Sequence, residues 1–93
     1  MEKFLIEVPH GGDKMSCTQA IQIFLSSGSH FVTNAEWGCN DGDHKAWLIV
    51  EVNTKEEAMR ILPAGYRSVA KVTRINKFTR KDIEETLVDQ HSK

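Results

Sequence analysis

The chain has 93 residues, 40% of them hydrophobic, with 12 basic and 13 acidic side chains and a formal net charge of -1. That length gives one domain, which buries only about 60–65% of its unfolded surface and is modestly stable. The near-neutral balance excludes the basic footprint of non-specific binding to nucleic acid or an anionic membrane, and no apolar run reaches the ~18 residues of a membrane span.

The first segment, MEKFLIEVPH, carries one lysine and a short apolar run, too little for a signal peptide. A cytoplasmic location is expected, with Cys17 and Cys39 as reduced thiols. Their separation fits neither a CxxC redox pair nor a zinc finger. Lys3 to Val8 reads as a strand, with Phe4, Ile6 and Val8 on its apolar face. Pro9 ends it, because proline cannot donate to a ladder. His10-Gly11-Gly12-Asp13 is a loop. It lacks the strand–GxGxxG–helix or GxxxxGK context of a phosphate loop.

A helix follows from Lys14 or Ser16 to Ser26, with Cys17, Ala20, Ile21 and Phe24 on one stripe. Asp13 or Ser16 is its N-cap and Gly28 its left-handed stop. His30 to Asn53 reads as a hairpin turning at Asp41-Gly42. A two-residue turn pairs Cys39 with His44, Trp37 with Ala46 and Ala35 with Leu48. Phe31, Thr33, Ala35, Trp37, Cys39, His44, Ala46, Leu48, Val50 and Val52 then share the face toward the helices. Val32, Asn34, Glu36, Lys45, Trp47, Ile49 and Glu51 share the other.

Thr54 to Glu57 forms a capping box opening a short second helix, with Ala58, Ile61 and Leu62 on its stripe and Pro63 and Gly65 at its end. Val69 to Phe78 is the last strand. Its poor alternation implies a bulge or partial burial. A terminal helix starts at Thr79 to Asp82 and places Ile83 and Leu87 together; Gln90 to Lys93 are expected to fray. The order is β-α-β-β-α-β plus a helix. It gives one ferredoxin-like α+β domain over residues 1–93, with its core in 3–79 and the terminal helix over about 80–90. The right-handed crossover rule sets the antiparallel strand order 4-1-3-2, with both main helices on one face.

The runs KFLIEV, AEWG…AWLIVEV and ILPAGYRSVAKVTRINKFT cover most of residues 3–79. With this element order, the chain resembles small ferredoxin-like proteins related to the dimeric α+β barrels, the architecture of muconolactone isomerase and small monooxygenases. The resemblance implies a homodimer in which the helix-free face lines an interface or cavity. It supplies no catalytic signature.

Two groups of side chains carry candidate chemistry. The helix-free face gathers Glu7, Asn34, Glu36, Trp47 and Glu51, with Arg74 as a counter-charge if the last strand turns it that way. Carboxylates on a partly dry surface act as general acids or bases. A solvated sheet face with structural ion pairs accounts for the same residues. The second group is His10, Cys39 and His44, soft and borderline donors suited to zinc, nickel or copper. A small apolar cysteine and strand-flanking histidines are its plainer explanation. A Cys39 nucleophile with a histidine base has no visible oxyanion hole. The hairpin aspartates do not make a calcium loop. Trp37 and Trp47 read as anchors, since RNA-recognition aromatic motifs are missing.

The leading expectation is a small-ligand-binding or interaction module with no cofactor, using the helix-free face. The first alternative is a cofactor-independent isomerase or oxygenase. The second is a divalent zinc or nickel protein using His10, Cys39 and His44.

Overall fold

The computed structural model describes residues 1–91, with side chains through Glu85. In chain order it contains β1 (Glu2–Pro9), α1 (Lys14–Leu25), α2 (His30–Thr33), β2 (Glu36–Trp37), a 3-10 turn at Cys39–Asp41, β3 (Lys45–Val52), α3 (Lys55–Ile61), a second 3-10 turn at Ala64–Tyr66, β4 (Lys71–Ile75) and α4 (Arg80–His91). The sheet has four antiparallel strands in the order β2-β3-β1-β4. This is the ferredoxin-like α+β arrangement read from the sequence.

Alternation along β1 and β3 decides which face is covered. Phe4, Ile6 and Val8 are buried, as are Ala46, Leu48 and Val50 opposite them. Ala20 and Phe24 of α1, Val32 of α2, and Ala58 and Leu62 at α3 complete the core. Each large apolar side chain buried here contributes roughly 1.5–3 kcal/mol. Phe24 lies edge-on to Trp37 at 5.0 Å and to Tyr66 at 5.5 Å, tying α1 to the hairpin and to the turn after α3.

Both main helices start at side-chain caps. Asp13 accepts from the Ser16 amide at 3.0 Å and from its hydroxyl at 2.6 Å. Thr54 Oγ1 accepts from the Glu57 amide at 3.1 Å, while Glu57 accepts from the Asn53 amide at 3.4 Å. The last carbonyls of α3 are met by Arg67, which donates to Leu62 and Arg60.

The first arm of the hairpin departs from expectation. His30–Thr33 is a helical turn, and the strand is only Glu36–Trp37. Ser29 caps the turn by accepting from the Val32 amide, and Asn34 closes it with Nδ2 donating to the His30 carbonyl at 2.7 Å. These local bonds compete with a ladder for the same backbone groups. Val32 thereby enters the core instead of the open face. The register survives: Trp37 pairs with Ala46 and Glu36 with Trp47. The two-residue turn does not. Gly38 still donates to Lys45, but residues 39–44 form a loop built on the 3-10 turn and closed by Gly42 at φ 81°.

β4 is shorter than the expected Val69–Phe78 strand and is only partly buried. Partial burial, rather than a bulge, explains its weak alternation. Its register sets Arg74 opposite Phe4 and Val72 opposite Ile6, so Arg74 stands on the helix side. There it meets Glu2 at 3.9 Å.

The sheet is open, with β2 and β4 as its edges. The closed barrel implied by the resemblance is not formed. α4 takes the place of the expected terminal helix and includes Gln90 and His91; the Leu87 side chain and residues 92–93 lie outside what is described. Among the described residues no helix is long and apolar enough to cross a membrane.

Candidate metal centre

Four donor side chains converge where the end of β1, the start of α1 and the hairpin loop meet. His10 follows β1, and its amide donates to the His44 carbonyl at 3.0 Å. That bond continues the β1–β3 pairing one step past Pro9 and sets the two histidines side by side. Their rings lie edge to face at 5.8 Å. Gly12 lets the loop pass close over His44, since a Cβ there would sit 3.2 Å from His44 Cδ2.

Cys17 lies in the first turn of α1, its amide bonded to the Asp13 carbonyl at 3.1 Å. The Asp13 cap fixes where the helix begins. The stripe that buries Ala20 and Phe24 turns Cys17 toward the sheet. Cys39 opens the 3-10 turn, and its Sγ lies 3.1 Å from His10 Nε2. One ligand atom each from His10, Cys17, Cys39 and His44 all lie within 4.8 Å of one another, and all four residues are half-buried. Two sulfurs and two imidazole nitrogens form a donor set able to hold a divalent metal ion.

Burial shapes the electrostatics of His10 and Cys39. Burial, and then the neighbouring His44, hold His10 below the usual imidazole range. Burial pushes the Cys39 thiol up to about 11, and Cys17 beside it adds to the rise. Both cysteines are free thiols. Nδ1 of His10 and Nδ1 of His44 are both buried and make no hydrogen bond. A buried polar atom without a partner costs about 1–3 kcal/mol. Two such atoms in one cluster mark a place where the protein does not satisfy its own polar groups.

Trp37 stands edge-on to His10 at 5.6 Å and joins the cluster to Phe24 and the core. Gly38 is required beside it. A Cβ at that position would lie 2.6 Å from the Asp43 carbonyl oxygen and 2.7 Å from the Trp47 ring.

The structure therefore joins His10, Cys39 and His44 and adds Cys17, which sequence reasoning placed in the core stripe. The signal for Cys17 was topological. A helix that starts just after β1 ends must begin beside the entry to β3, its antiparallel neighbour.

The helix-free face is less well assembled. Glu7, Glu36, Trp47 and Glu51 do share it, and Trp47 Nε1 donates to Glu7 Oε1 at 3.3 Å. Asn34 is not on the sheet, being held at the end of α2. Arg74 is on the opposite face. The residues paired with Glu7 and Glu51 are Trp47 and Lys71, and Lys3, in register. Ile49 is 60% exposed at the centre of this face.

No family model, curated protein or solved structure matches the chain. The expected relation to muconolactone isomerase and its barrel relatives thus finds no support beyond the shared element order.

Proposed function

We propose that this protein binds a zinc ion through His10, Cys17, Cys39 and His44. The observation that carries the reading is the approach of all four ligand atoms to within 4.8 Å from separate elements of the fold. In a tetrahedral zinc site, bonds of about 2.3 Å to sulfur and 2.0–2.1 Å to nitrogen put the donors roughly 3.4–3.8 Å apart. Separations near the 4.8 Å limit must contract by about 1 Å, while His10 Nε2 and Cys39 Sγ, at 3.1 Å, must part slightly. Two thiolates and two imidazoles suit zinc better than magnesium or calcium, which take oxygen donors.

Four protein ligands complete the coordination, which favours a structural or metal-holding role over catalysis at an open position. The location supports the same role. An ion there would tie the end of β1, the first turn of α1 and the hairpin loop together. In a domain with so small a core, that binding energy adds directly to folding energy. The helix-free face, the leading sequence-based expectation, lacks its Asn34 and Arg74 members and carries less of the argument.

Competition with a chromophoric chelator tests the reading. The reduced protein is expected to take one zinc per chain and to lose at least tenfold in affinity with Cys17→Ser, Cys39→Ser, His10→Ala or His44→Ala. Zinc uptake that ignores all four substitutions, or no uptake by the folded protein, refutes it.

A further inference from the structure

Cys17 and Cys39 are the chain's only cysteines, and they come from elements far apart in sequence. Their sulfurs belong to a cluster whose ligand atoms lie within 4.8 Å of one another. From the position of the two sulfurs together in one half-buried cluster, and resting on the zinc reading above, we infer that the site is a thiol switch: a hydroperoxide oxidises Cys17 and Cys39 to an intramolecular disulfide and releases the metal.

Three features of the fold support this. First, both residues are only partly buried, so a water-sized oxidant has access. Second, the two sulfurs are mounted differently. Cys17 is fixed on a twelve-residue helix capped by Asp13. Cys39 sits in a short 3-10 turn closed by Gly42 in the left-handed conformation, within a loop outside the strands. With the ligand atoms already within 4.8 Å, rotation of the Cys39 and Cys17 side chains with a small backbone adjustment brings the sulfurs to the roughly 2 Å bonding distance of a disulfide. Third, with only two cysteines the product is unique. Zinc ligation keeps both sulfurs deprotonated, and the thiolate is the nucleophilic form.

The chemistry balances as a two-electron exchange. One thiolate attacks a peroxide oxygen. An S–O bond forms, the O–O bond breaks, and the departing hydroxide (or alkoxide, from an organic peroxide) takes a proton. The second thiolate attacks the sulfenic sulfur. The S–S bond forms, the S–O bond breaks, and hydroxide leaves with another proton as water. The two sulfurs lose two electrons and the peroxide gains them. The zinc ion departs with its charge unchanged. The histidines that remain are two ligands in place of four, too few to hold it.

The test uses the full chain, reduced and loaded with one equivalent of zinc, then treated with hydrogen peroxide in the presence of a zinc indicator. Expected are release of one zinc per two thiols lost, a monomeric product lighter by about two mass units, and recovery of zinc binding after dithiothreitol. Three results overturn the switch while leaving the zinc reading standing. They are zinc retained with both thiols intact, a disulfide-linked dimer as the main product, and irreversible gain of oxygen on the cysteines. Failure of the reduced protein to take up zinc overturns both. Cys17→Ser supplies the control: peroxide must no longer yield the lighter monomer, and circular dichroism reports whether the variant is folded.

Discussion

Replacing Gly38 by alanine tests how the hairpin loop is held beside the metal centre. The added methyl carbon would lie 2.6 Å from the Asp43 carbonyl oxygen and 2.7–2.8 Å from two carbons of the Trp47 ring. Ordinary contact begins at 3.4 Å. Neither neighbour yields easily. The Asp43 amide donates to the Gly38 carbonyl at 3.0 Å, and the Gly38 amide donates to Lys45 at 3.1 Å, so a shift of this backbone strains the bonds that close the loop. Trp47 is held through its bond to Glu7. Overpacking of this kind costs about 1–3 kcal/mol, and two resistant neighbours place Gly38→Ala in the upper half of that range. In a domain of this size each kcal/mol moves the melting temperature by about 4–8 °C. A fall of roughly 10–20 °C is therefore expected in thermal melts followed by circular dichroism. Zinc affinity should fall as well, because Cys39 is the next residue. Gly65→Ala is the control: its added carbon meets nothing within 4 Å. It should stay within about 0.5 kcal/mol of the parent, the range of ordinary surface changes. A Gly38→Ala variant that melts with the parent refutes the packing argument.

Further expectations concern pH and surface charge. In the metal-free protein His10 is held below its ordinary range, so the stability linked to it is present above about pH 6.5 and is lost as pH falls. Cys39 is pushed up to about 11, so its contribution is present below the ordinary thiol range and is lost as pH rises from there toward that value. Melts across pH with a chelator present should show a plateau between these limits; stability that climbs steadily through pH 9–11 contradicts the Cys39 assignment. Zinc uptake must release protons, so affinity measured by competition should weaken as pH is lowered. Arg74→Ala should change stability by less than about 1 kcal/mol, because its contact with Glu2 is long and both side chains are mostly exposed. A larger loss in urea unfolding would show that Arg74 does more than its position on the edge strand suggests.

Much of the fold is written in local pattern. The alternation of Phe4, Ile6 and Val8, the stripe of Ala20 and Phe24, and the Thr54–Glu57 cap each name their element without reference to anything distant. The pairing of Trp37 with Ala46 was legible because the hairpin pattern fixes parity. The failures have local causes too. Ser29 and Asn34 supply bonds that wind residues 30–33 into a helical turn, where β-branched residues alone suggest a strand. The side of Arg74 stayed open in the sequence because β4 is a half-buried edge strand whose weak alternation does not reveal its parity, and the register places it on the helix side. The metal centre was three-quarters legible. His10 and His44 meet because β1 pairs with β3, while Cys39 reaches His10 from the 3-10 turn and not through the tight hairpin turn that the sequence suggests. Cys17 was absorbed by the apolar stripe it begins. Helical spacing tells which face a residue occupies, but not whether the far end of that face meets core or ligand.

The proposed zinc site is tetrahedral, with two sulfur and two nitrogen donors. Cobalt(II) in place of zinc reports that geometry directly through its visible absorption. Expected are intense tetrahedral d–d bands with thiolate-to-cobalt charge transfer in the near ultraviolet, saturating at one cobalt per chain and displaced by zinc. Cys17→Ser should weaken the charge-transfer band. A weak octahedral spectrum without charge transfer, or a spectrum indifferent to loss of Cys17 and Cys39, would contradict it.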